Sequence, residues 1–119
     1  MHLLLNLDQW DEVFVAKSCF FGCYEIKPGC IVSYHMQEGV PQFGKIKYII
    51  CIGNTVQFIL LTYKTLYFHR HFYAFAVESS ENVTSIDAKS LIDVHAYSVH
   101  CIVYEHQLLN LINTRYKMY

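Results

Sequence analysis

Charge is scarce in this sequence. Lys, Arg, Asp and Glu together make up 16% of the 119 residues, and the formal net charge is −1. An average domain carries about 25% charged residues. With no basic excess, the chain is poorly equipped to neutralise a run of phosphates, so a dominant nucleic-acid role is disfavoured. The tightest basic grouping is Lys45 with Lys47, which strand alternation assigns to one solvated face. Breakers are scarce as well: five Gly and two Pro, with no Pro/Gly/Ser-rich linker and no internal repeat to divide the chain. A hydrophobic share of 54% argues against disorder. Long apolar runs are also missing. The most apolar stretch, Tyr48 to Leu61, is interrupted by Gly53-Asn54-Thr55 and falls short of the roughly 20 residues of a spanning helix.

Cysteine is present but in an unhelpful number. Five residues (Cys19, Cys23, Cys30, Cys51, Cys101) are an odd count for a disulfide framework, and no C-x-x-C occurs. Cys51 and Cys101 lie inside apolar runs and read as small buried hydrophobes. Leu3 to Leu5 lacks the basic flank and cleavage site of a secretory signal, so the expected setting is reducing and intracellular, cytoplasmic or nuclear.

What the chain does have is aromatic and β-branched side chains, with ten Tyr and eight Phe. Such residues suit pleated, half-buried surfaces. Residues 1–11 read as a lead-in segment and residues 12–119 as one domain. Val13–Lys17 is the first expected strand, and Lys27-Pro28-Gly29 a turn. Cys30–His35 follows as a strand, then a loop over residues 37–41. Phe43–Ile52 and Thr55–Tyr63 form a hairpin about Gly53-Asn54. Phe72 to Glu78 alternates, with Phe72, Ala74 and Ala76 facing one way and Tyr73, Phe75 and Val77 the other. Ser79-Ser80-Glu81-Asn82 reads as a polar turn before Val83–Ile86. Asp87–Val94 is the one helical candidate, capped by Asp87. Ser98–Glu105 and Leu108–Tyr116 close the chain as a strand pair. The expected fold is therefore all-β: a small SH3-like barrel or compact β-barrel with one short helix. Closure into a barrel removes exposed edges from an apolar chain.

Three segments carry a resemblance: Lys27-Pro28-Gly29-Cys30-Ile31-Val32, then Pro41 to Ile49, then Tyr63 to Phe75, with Leu91-Ile92-Asp93 beside them. Together they are similar to a domain of uncharacterised animal proteins that look derived from mobile genetic elements. That resemblance covers about Gly22 to Tyr116 and implies no activity. A weaker likeness, carried by Phe43-Gly44 and the strand after it, is to SH3-like barrels, including the bromo-adjacent homology class. It implies a module that binds peptides, modified tails or nucleic acid. Fold likeness alone transfers no function.

Residues with chemistry are few. His69 and His71 flank Arg70 and have a workable spacing for two metal ligands, but a zinc site needs further partners and no spacing supplies them, so no metal and no cofactor is expected. A Cys/His nucleophile pair lacks a local motif, and no catalytic residue is assigned. Trp10, Tyr24, Tyr34, Phe43 and Tyr48 are the candidate binding residues, as an aromatic cage for an ammonium group. The competing reading is that aromatics simply fill the core. The expected function is a non-catalytic interaction module for a protein or peptide partner, part of a larger protein. The alternatives are a nucleic-acid-binding barrel of a mobile-element-derived protein and a small zinc- or cysteine-dependent enzyme. No membrane association is expected. Leu3 to Leu5 with Trp10, and Tyr116 with Tyr119, are the expected apolar contact points.

Overall fold

The computed structural model describes residues 13–21, 24–91 and 93–114. Among the described residues ten strands run in order: β1 Val13–Ala16, β2 Cys19–Phe21, β3 Tyr24–Ile26, β4 Ile31–Gln37, β5 Val40–Ile52, β6 Thr55–His69, β7 Ala74–Asp87, β8 Asp93–Tyr97, β9 Val99–Tyr104 and β10 Gln107–Ile112. β2 and β3 form a separate small hairpin; the main sheet follows the order β8-β4-β5-β6-β7-β10-β9, with β1 pairing β5 beside that path. All observed pairings are antiparallel. The all-β expectation holds.

β5 is the organising strand. Its first half pairs with β4, Val40 to Lys45, and its second half with β1, Ile49 to Ile52. Ile49 and Ile50 are both buried, which is why the apolar run reads as continuous rather than alternating. A register shift at Lys47 puts Ile46 and Ile49, three residues apart, into one cluster with Ile26, Val32, Phe58 and Leu60. Gly53 turns β5 into β6 at φ 57, as a tight hairpin needs, and Ile52 pairs Thr55 across it. The hairpin about Gly53-Asn54 is thus as the sequence indicates.

Several expectations are corrected. Residues 37–41 are not a loop: Gln37 pairs Val40, and Glu38 and Gly39 at φ 53 and 80 make a two-residue turn. β6 runs on to His69 rather than stopping at Tyr63. Ser79–Asn82 is not a turn between strands but a bulge inside β7. The pairing jumps from Leu61↔Val83 to Tyr63↔Ser79. The Thr62 hydroxyl lies 2.6 Å from Ser80 Oγ, and the Ser80 hydroxyl donates to the Thr62 carbonyl at 2.9 Å, so side chains replace the missing rungs. The helical candidate shrinks to a 3₁₀ turn, Ala88–Ser90. Asp87 does cap it, accepting from the Lys89 amide at 2.9 Å, but Leu91 is already extended and β8 begins at Asp93. So short a turn cannot repay helix nucleation once β4 offers Asp93–Tyr97 a ladder.

The sheet is not closed into a barrel. Its end strands, β8 and β9, are joined through Ser98 alone. A single residue cannot reverse the chain, so the two do not pair, although the covalent link holds the sheet's two ends side by side. The sheet rolls around a second cluster inside that curl: Ile31, Phe43, Val77, Tyr97 and Ile112. Phe43 meets Tyr97 edge-on at 5.6 Å. On the opposite face of β7, Ala74 and Ala76 pack with Leu111, Phe72, Ile102 and Leu109. Phe72, Ala74 and Ala76 on one side and Phe75 and Val77 on the other match the alternation read from sequence. β10 pairs β7 over only Leu111↔Ala76 and Ile112↔Phe75.

Candidate functional site

β6 outruns its neighbour. Its ladder with β5 extends from Thr55↔Ile52 to Thr62↔Gly44 and ends there, whereas its ladder with β7 continues to His69↔Ala74. Phe43, Gln42 and Pro41 form no further pair with β6. The turn-closing pair Gln37↔Val40 directs the Val40 amide and carbonyl toward β4, so the next residue presents its backbone toward β6. That residue is proline, which has no amide to donate. Its carbonyl is met by a side chain instead, the Thr65 hydroxyl donating at 2.9 Å. Beyond this bridge the β4–β5 hairpin tip and β6 part.

A groove of about 400 Å³ opens between them, lined by Gln37, Glu38, Val40 and Gln42 on one side and Lys64 to Phe68 on the other, with Phe75 at its end. Val40, Leu66, Tyr67 and Phe68 are 37–48% exposed, unusual for adjacent large apolar side chains. Phe68 is held by edge contacts to Phe75 at 5.1 Å and Tyr73 at 6.0 Å. The charged groups on the groove are Glu38 and Lys64. Sequence reading missed this site because it ended β6 at Tyr63 and read residues 37–41 as a loop. The available signal was the unbroken apolar and aromatic run after Tyr63, set against a proline in the facing strand.

Of the expected cage residues, Phe43 and Tyr34 pack in different clusters. Phe43 is 0% exposed and offers no face to a ligand. Tyr34 is partly buried against the cluster on the other face of the sheet, and burial pushes its phenol up from the ordinary value. Tyr48 is exposed. The backbone of Tyr24 pairs with Phe21 in the β2–β3 hairpin. Trp10 lies outside the described residues, as do Leu3 to Leu5, Tyr116 and Tyr119.

His69 and His71 do approach, with ring centroids 6.3 Å apart. His69 ends β6 and His71 sits in the following turn, and their company is aromatic. Tyr104 of β9 meets His69 edge-on and stacks on His71, each at 5.1 Å, and Phe72 completes the group. Among the described residues no group of three or more His, Cys, Asp or Glu is placed to hold a metal. Cys19, Cys30, Cys51 and Cys101 are free thiols, and Cys23 lies outside the described residues. Burial, then the neighbouring Cys51 and Cys30, raises the Cys19 thiol above its ordinary value, the opposite of nucleophile activation. Cys101 is exposed, not buried. It lies on the uncovered face of the β9–β10 hairpin opposite Asn110, and an apolar run on a one-sided hairpin buries only alternate residues. A smaller cavity of about 180 Å³ lies between Cys19, Phe20, Asn54, Val56 and the 3₁₀ turn.

No protein family, curated protein or solved structure matches this chain. Among the described residues no helix is long and apolar enough to cross a membrane.

Proposed function

We propose that this domain is a non-catalytic interaction module that binds a protein or peptide partner through the groove between the β4–β5 turn and β6. The observation that carries this reading is the set of adjacent apolar side chains Val40, Leu66, Tyr67 and Phe68, each more than a third exposed and lining one open groove. Apolar side chains exposed singly are ordinary, whereas a contiguous set on a concave surface marks a binding site. The chemistry favours a polypeptide over nucleic acid, since a single lysine faces the groove and a carboxylate stands opposite.

The test is site-specific photocrosslinking in cells that express the protein. A crosslinking residue at Tyr67 is compared with one at the exposed bulge residue Glu81. A discrete protein adduct is expected from Tyr67 alone, and Leu66→Glu abolishes it. Equal adducts from both positions overturn the reading, and adducts to nucleic acid transfer it to the nucleic-acid alternative.

A further inference from the structure

Resting on that reading, we infer that the groove is filled by strand addition: an extended peptide pairs with the free edge of β6 beyond Thr65. The backbone supplies the first argument. From Tyr63 to His69, β6 pairs only with β7, so its other edge has no ladder among the described residues. An extended peptide satisfies such an edge with main-chain hydrogen bonds and takes its specificity from alternate side chains. At Thr65 the facing residue is Pro41, which has no amide to offer β6 and accepts the Thr65 hydroxyl through its carbonyl instead. The Thr65 hydroxyl on the Pro41 carbonyl fixes where the slot begins.

Charge supplies the second argument and names the occupant's chemistry. Lys64 and Glu38 stand at the groove, both exposed, and neither has an ion-pair partner among the described residues. The complementary peptide carries a carboxylate toward Lys64 and a cation toward Glu38. Between them it places aliphatic side chains at alternate positions, against Leu66 and Phe68. A residue repeat of two matches the spacing of the strand it joins.

The probes are ten-residue acetylated peptides of alternating valine and threonine with one aspartate and one lysine. A second peptide has those two charges exchanged. Two more are N-methylated at one or the other alternating set of amides. Binding is read by fluorescence anisotropy, and the contact region by amide hydrogen exchange. Strand addition predicts saturable binding and new protection confined to the Leu66–Phe68 segment. Methylation of one alternating set alone abolishes binding, because only that set faces β6. Lys64→Glu, a substitution at an exposed position, reverses the preference between the two charge patterns by about fivefold.

Equal loss from both methylated sets, protection elsewhere, or no binding at millimolar peptide overturns strand addition. Binding at the groove that ignores methylation overturns strand addition while leaving the interaction module intact, and the crosslinking result stands separately. Concentration-dependent dimerisation that buries the same edge, read by sedimentation, assigns the slot to a second copy and also overturns the peptide proposal.

Discussion

Adding one methyl group at Gly44 tests the packing that carries the whole sheet. Gly44 is buried in β5 between Val32 of β4 and Thr62 of β6. A Cβ there meets Leu60 Cβ and Cδ1 at 3.0 Å each. Comfortable carbon contacts lie near 3.5–4.0 Å, so about half an ångström must be found. Leu60 is 0% exposed within the cluster of Val32, Ile46 and Phe58, and has nowhere to move without displacing them. Overpacking of this kind costs about 1–3 kcal/mol, and the reduced freedom of the unfolded chain returns about 0.4–1 kcal/mol. Gly44→Ala is therefore expected to lose about 1–2 kcal/mol, a fall in Tm of roughly 4–10 °C. Thermal and urea unfolding of Gly44→Ala, Leu60→Ala and the double variant form the assay. Leu60→Ala alone leaves a cavity costing about 2–5 kcal/mol. The methyl at position 44 partly fills that space, so the double variant falls short of the sum by about 1 kcal/mol. A Gly44→Ala protein that melts at or above the parent, or strict additivity, refutes the close-approach argument.

Three further outcomes follow from the same geometry. Thr65→Val removes the hydroxyl that donates to the Pro41 carbonyl and is expected to cost about 0.5–1.5 kcal/mol in urea unfolding, with amide exchange quickening first at the β4–β5 turn. Alkylation at neutral pH should modify Cys101 well before Cys19, whose burial holds it as the thiol; mass spectrometry after a short iodoacetamide pulse reads the order, and prior labelling of Cys19 contradicts it. Burial raises the phenols of Tyr34 and Tyr63 above the ordinary value of 10.0. The unfolded chain therefore ionises first, and the stability these groups contribute is complete below pH 10 and lost as pH climbs above it. Urea midpoints measured across that range should fall, and Tyr34→Phe with Tyr63→Phe should flatten the decline.

The sequence by itself determined the class of this fold and much of its local structure. Alternation around Ala74 and Ala76 assigned those alanines to one face and Phe75 and Val77 to the other, because side chains in a strand can point only two ways. Gly53 announced a tight hairpin, and Asp87 a cap, since both act through backbone atoms close by in the chain. What the sequence could not decide depends on which strand lies beside which. Whether Cys101 is covered is settled by a neighbouring layer, not by its own run of residues. The bulges at Lys47 and within Ser79–Asn82 shift which residues share a face, and only partner strands reveal them. Gly44 is one residue of the expected Phe43–Ile52 strand in the sequence, and only the structure makes it the gap that admits Leu60. The open edge of β6 is decided in the same way. The Thr65 hydroxyl that marks where β5 and β6 part meets the Pro41 carbonyl across more than twenty residues of chain, and that distance closes only when β5 and β6 are brought into register.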